Sequence, residues 1–222
     1  MTSRTDERTT GVILRTRLLT ETSLIVHWLT GDAGRIATVA KGARRPKSPF
    51  RGKLDLFHVA DLTFRRSARS DLHALSEVGM RETFPELRTD WRRLTRAAYG
   101  VALIEQTTET DTPVPETFRL FLGYLAEVSG PASGVRSVLA LELKHLAEMG
   151  MEPDWDRGVL SAGARRLAET LLERAWGEVA GPVVEAGVAA EDEAALARYL
   201  QGFLTFHLGR LPRGRGDALG LG

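Results

Sequence analysis

Residues 11–41 read GVILRTRLLTETSLIVHWLTGDAGRIATVAK. Three segments within them, 11–17, 23–29 and 35–41, are short and rich in β-branched or aromatic residues, and Gly31-Asp32-Ala33-Gly34 makes a turn between the second and third. They are predicted to be strands. Working outward, residues 54–65 alternate Leu54, Leu56, Ala60, Leu62 and Phe64 with Asp55, Asp61, Thr63 and Arg65, and residues 72–78 repeat the habit more weakly. A period of two marks a strand with one buried face. Five strands within about eighty residues, with few long connections, are what a small closed or nearly closed antiparallel barrel requires. The even spacing of Arg35 and Lys41 puts both on one face of the third strand.

From Asp90 onward the period changes to that of a helix. Trp91, Leu94, Ala98 and Val101 form one stripe, with Arg88, Arg92 and Arg96 on roughly the opposite side. After Pro113 and Pro115, a second helix is marked by Phe118, Phe121, Leu122, Leu125 and Val128, and a third by Val135, Val138, Leu139, Leu146 and Met149. A fourth follows along Leu160, Ala164, Leu167, Leu171 and Ala175. A fifth, introduced by the acids Glu191-Asp192-Glu193, runs along Leu196, Leu200, Phe203 and His207. The closing RLPRGRGDALGLG is glycine-rich and is expected to be mobile. The predicted class is therefore α+β and multidomain, with a β-barrel over residues 1–80 and an all-α helical bundle over residues 81–222.

With 222 residues, 43% of them hydrophobic, the chain can bury one sizeable core or two modest ones. The charge favours two. Residues 1–100 hold 19 Lys/Arg against 11 Asp/Glu, whereas residues 101–222 hold 11 against 18, so the net +1 is a cancellation between halves. The sequence contains no cysteine, which excludes disulfides, thiolate zinc sites and Cys nucleophiles. The opening MTSRTDERTT is polar, and no apolar run approaches the ~20 residues of a membrane span, so a cytoplasmic protein without membrane contact is expected.

The basic half concentrates its charge. Between Asp32 and Asp55 lie Arg35, Lys41, Arg44, Arg45, Lys47, Arg51 and Lys53 and no acid. Such a run on Gly/Pro-punctuated backbone, leaving a strand and crossing a barrel-rim loop, is suited to a nucleic-acid backbone. The alternative is a solvated loop. Residues 42–48 superficially resemble a nucleotide-phosphate loop, but Pro46 and Lys41 occupy the two places where that loop needs glycine, and proline supplies no amide donor. Nucleotide hydrolysis is excluded on that ground. Of the neighbouring aromatics, Trp28, Phe57 and Phe64 fall within strand patterns and are expected in the core. Phe50, in a loop between Pro49 and Arg51, suits either core or base stacking.

His27, His58, His73, His145 and His207 never approach ligand spacing. Glu152, Asp154 and Asp156 cluster without completing a calcium loop. No nucleophile stands with a placed base, so no catalytic residue is nominated.

The string Val39-Ala40-Lys41-Gly42-Ala43-Arg44-Arg45-Pro46-Lys47-Ser48, following strands at residues 11–14 and 23–26, resembles the N-terminal signature of the RecO family of bacterial recombination mediators. The likeness continues through residues 84–88, Ala98-Tyr99, residues 141–146, Gly150 and Pro153. It implies an oligonucleotide-binding (OB) barrel followed by a helical domain, without turnover. Implied partners are single- and double-stranded DNA, RecR, the acidic tail of single-strand binding protein, and RecA indirectly. Carried over onto this sequence, DNA contact falls on Lys41, Arg44, Arg45 and Lys47, with Arg51 and Lys53 close behind. Arg35, Arg88, Arg92 and Arg96 complete the candidate set. Many members carry four zinc-ligand cysteines at the point corresponding to residues 153–160, and this sequence has none, so no cofactor is expected. The rival readings are an RNA- or ribosome-associated barrel module and a protein adaptor working through its acidic helical half.

Overall fold

A computed structural model describes residues 6–153, 160–179 and 189–221. They form two units, residues 1–84 with 108–119, and residues 85–107 with 120–222.

The first unit is a closed barrel of five strands, β1 (Asp6–Leu18), β2 (Leu24–Thr30), β3 (Gly34–Ala40), β4 (Val59–Arg65) and β5 (Leu72–Glu82). Their order around the barrel is β1-β2-β3-β5-β4. All pairings are antiparallel except β3 with β5, which the simple antiparallel expectation does not include. Inward residues fill the barrel as the alternation requires: Ile13, Val26, Trp28, Ile36, Leu62 and Phe64 are all nearly or fully buried. The one polar atom Trp28 brings inside is satisfied, its Nε1 donating to Thr38 Oγ1 at 2.9 Å.

Two strands start elsewhere than the sequence pattern suggests, and β5 runs on to Glu82, four residues past the predicted end. β1 begins at Asp6 rather than Gly11, because its polar start is held by pairing with β4 from Asp6↔Arg65 to Val12↔Val59 and by Thr10 Oγ1 donating to Asp61 at 2.7 Å. β4 begins only at Val59. Phe57 stands at φ 64°, which no extended strand permits, and its amide donates to Ile13 O at 2.9 Å while His58 O accepts from Ile13 N.

A segment from residues 108–119 is stitched to the barrel wall. Arg35 Nη2 donates to Thr108 O at 2.6 Å, Asp111 N to Arg35 O at 3.0 Å, and Val114 N to Gly31 O at 2.9 Å. The Asp111 carboxylate pairs with Arg66 and lies 3.5 Å from His73 Nε2. Gly34 permits this approach: it sits at φ 69°, and a Cβ there would lie 2.0 Å from Thr112 O. Gly34→Ala is therefore expected to cost about 3 kcal/mol, from the left-handed backbone and the displaced segment together. Chemical denaturation with hydrogen exchange at Asp111 and Val114 checks it; native-like protection of both amides in the variant would show that the segment does not depend on Gly34.

The second unit is helical. A short 3-10 turn (Pro85–Arg88) precedes α1 (Trp91–Thr107), and α2 (Pro115–Ser129), which enters this unit at Leu120, α3 (Val135–Glu148), α4 (Ala162–Glu173), α5 (Ala190–Leu208) and α6 (Arg215–Leu219) follow. α3 is apolar on nearly every side, with Val138 to Leu141, Leu143 and Leu146 all buried, as befits a central helix.

Two expectations are corrected here. The stripe on α1 is rotated: Trp91 is 72% exposed and Ala98 is exposed, while Ala97, Tyr99, Val101, Leu103 and Ile104 are buried. The C-terminal tail is not a loose end. Its Arg215 is 4% exposed, and Ala218 and Leu219 are buried beside it in α6. Arg215 Nε and Nη2 donate to the fully buried Glu142 at 2.7 and 2.9 Å, and Nη2 also donates to Ala197 O at 2.9 Å. Tyr99 OH donates to the same carboxylate. Burial opposes the Arg215 charge, but hydrogen bonding and attraction from Glu142 more than offset it and hold the guanidinium above its ordinary pKa.

Candidate nucleic-acid interface

The loop between β3 and β4 is a succession of tight turns. Arg45 N donates to Gly42 O at 3.0 Å, Ser48 N to Arg45 O at 3.0 Å, Arg51 N to Ser48 O at 3.2 Å, and Lys53 N to Phe50 O at 3.0 Å. Gly42, at φ 65°, supplies the left-handed residue that starts it. Two apolar side chains anchor the loop in the barrel core, Ala43 and Phe50, each under 9% exposed. The open role of Phe50 is thereby decided for packing. Trp28, Phe57 and Phe64 are buried as well. With its apolar residues turned inward, the loop presents cations outward.

The cations divide by what they touch. Arg44, Arg45 and Arg51 wall an open groove of about 490 Å³, whose lining also includes Leu24, Phe50 and Leu54 and a single carboxylate, Asp55. Lys41, Arg45 and Lys47 are exposed and have no ion-pair or hydrogen-bond partner for their side chains among the described residues. Arg44 is partly committed, Nη1 donating to Glu21 O at 3.1 Å, and Arg51 Nη1 reaches Pro46 O at 3.4 Å. Lys53 is more fully engaged: its Nζ donates to Val78 O at 2.9 Å. Arg35 is tied to the 108–119 segment, away from the rim. No carboxylate pairs with any of the six loop cations among the described residues, so their field remains directed at solvent.

The three helical candidates belong to the second unit. Arg88 and Arg92 are exposed. Arg96 is half-buried and its donors are taken: Nη1 donates to Ser133 O at 2.9 Å and to Ser133 Oγ at 3.1 Å, and Nε reaches Ala218 O at 3.4 Å. Burial draws its guanidinium pKa below the usual arginine value. Arg96 thus has a structural role in capping carbonyls.

Two cations escaped the sequence reading. Arg15 and Arg17 are exposed on β1, in register with His27 and Ile25 of β2, on the strand face opposite the barrel core. Their i, i+2 spacing next to the buried Val12-Ile13-Leu14 was the available signal. No group of three or more metal-ligating side chains occurs among the described residues. Residues 154–159, which include Asp154 and Asp156 and most of the place of the family's zinc module, lie outside the described residues. No helix among the described residues is long and apolar enough to cross a membrane.

The sequence that builds the barrel, the rim loop and the first helices is similar to that of known proteins. Residues 1–84 match the profile "Recombination protein O N terminal", and residues 88–168 match "Recombination protein O C terminal". The chain is 35% identical over 132 residues to a protein of Rhodopirellula baltica named DNA repair protein RecO, covering 60% of this chain and 49% of that one. Proteins of the same name from Syntrophus aciditrophicus and Idiomarina loihiensis are 28% and 37% identical over 144 and 109 residues, covering 65% and 49% of this chain and 56% and 46% of theirs. The matched stretch thus spans about half the length of these curated relatives. Matched in turn over its barrel and over its first three helices and part of the fourth, the chain belongs to the RecO family.

Proposed function

We propose that this chain is a non-catalytic, DNA-binding recombination mediator acting in DNA repair in the cytoplasm. The observation that carries the reading is the rim loop: six cations on a fixed run of turns, none paired with a carboxylate among the described residues, in a chain of this family. Phosphates of single- or double-stranded DNA settle on Lys41, Arg44, Arg45, Lys47 and Arg51, with Arg15 and Arg17 extending the track. Cations shared by two strands lower the repulsion that opposes pairing, which favours annealing of complementary strands. RecR and the acidic tail of single-strand binding protein are the proposed protein partners, through which RecA gains access to covered DNA. No step in this scheme makes or breaks a covalent bond.

The expected behaviour is salt-sensitive binding without strong sequence preference. In fluorescence anisotropy with a labelled DNA strand, log affinity should fall by roughly 0.7 per log unit of salt for each phosphate neutralised. An unlabelled RNA strand of the same sequence should compete no better than DNA, since phosphate rather than the 2′-hydroxyl is read. RNA winning that competition decisively would favour an RNA- or ribosome-associated module instead.

A further inference from the structure

Among the described residues, the only large hydrophobic side chains left exposed in the barrel unit are neighbours, Leu18 at 65% and Leu19 at 45%, at the tip of the β1–β2 hairpin. The tip is not slack. Leu19 N donates to Ser23 O at 3.0 Å, and Ser23 N to Thr20 Oγ1 at 3.1 Å. It is also fastened to the basic loop, through Gly42 N to Ser23 Oγ at 3.2 Å, Arg44 N to Thr22 O at 3.0 Å and Arg44 Nη1 to Glu21 O at 3.1 Å. Leu18 pairs in register with Leu24, so the two share a sheet face, and Leu24 lines the arginine groove. The apolar inner face of the barrel therefore continues past its rim and ends beside guanidinium groups.

Two leucines held rigidly in water serve no packing purpose within this unit, and phosphate gains nothing from them. The flat face of a base does. The charge around the tip points to the same occupant: Arg15 and Arg17 precede it, Arg44 lies against it, and between Glu7 and Asp32 the sole carboxylate is Glu21. We propose that Leu18 and Leu19 form a wedge that enters between neighbouring bases of a DNA strand whose phosphates lie along the arginine groove, unstacking them. This rests on the DNA-binding reading above and adds to it a contact with bases. Apolar wedges flanked by cations act in this way on other nucleic-acid surfaces.

The test uses the full chain and a DNA strand carrying 2-aminopurine, whose emission rises when it loses its stacked neighbours. The parent should bind and raise the emission. Leu18→Ser with Leu19→Ser, both at exposed positions, should fold normally, bind about ten-fold more weakly and give no rise, with an unchanged salt slope because no phosphate contact is lost. Unchanged affinity and an unchanged rise in the double variant, beside a parent that binds, would overturn the wedge and leave phosphate binding standing. A parent that binds no DNA refutes the DNA reading and the wedge with it. If the double variant keeps the emission rise but loses self-association in sedimentation, the tip is a protein contact and the wedge is wrong.

Discussion

Arg215→Ala is expected to destabilise the helical unit by about 3–5 kcal/mol, the usual effect of leaving one member of a buried ion pair without the other. The loss is large because Glu142 is fully buried and two of its hydrogen bonds come from Arg215. Among the described residues only Tyr99 OH would remain to it, and Tyr99 is itself held far above its ordinary pKa, first by burial and then by the carboxylate. With the guanidinium gone, Ala197 O also loses a donor, and α6 loses the side chain that fastens it to α3 and α5. The melting midpoint of the helical unit should fall by about 10 °C. Arg215→Lys should recover part of this at most, because an ammonium cannot reproduce the two-pronged contact. Replacing the pair together, Glu142→Leu with Arg215→Met, should be far milder than Arg215→Ala alone, since no uncompensated charge is then buried. A midpoint for Arg215→Ala within about 2 °C of the parent would mean that the tail is not fastened by this pair.

That tail shows where sequence patterns stop being informative. Arginine among glycines reads as solvated, and nothing local to RLPRGRGDALGLG reveals a carboxylate waiting at Glu142, more than seventy residues away. Glu142 in turn sits in a helix whose apolar pattern gives no hint that one of its acids faces inward. Long-range pairing of this kind is invisible to periodicity. The barrel strands were legible because each has one dry face, so that Ile13, Trp28, Ile36 and Phe64 had to alternate with polar neighbours. The polar start of β1 was hidden, because pairing to β4 rather than burial makes it a strand. The parallel β3–β5 contact was hidden too, since it depends on barrel closure. On α1 the exposed Trp91 misled the eye, because hydrophobicity alone does not say which residues of a first turn find a partner.

The basic run was legible as charge but not as geometry. The sequence placed Lys53 close behind Lys41, Arg45 and Lys47 and kept Arg35 and Arg96 in the candidate set, but nothing in it shows that these three spend their donors on carbonyl oxygens of the protein itself. The anchoring role of Ala43 and Phe50 was equally out of reach, and it is what holds the loop as a platform. The variant that isolates the central claim should therefore change only the uncommitted cations. Lys41→Glu, Arg45→Glu and Lys47→Glu together touch no internal hydrogen bond among the described residues, so folding and melting should be close to those of the parent. Each phosphate contact on a single strand contributes roughly 0.7 of a decade in affinity at about 0.1 M salt, so losing three should weaken binding by about 100-fold before any added repulsion. Anisotropy of a labelled single strand, titrated at several salt concentrations with parent and triple variant, is the most direct measurement. The expected result is a log–log salt slope shallower by about 2 in the variant, alongside the weaker affinity; a folded variant with the parent's slope and affinity would contradict the account.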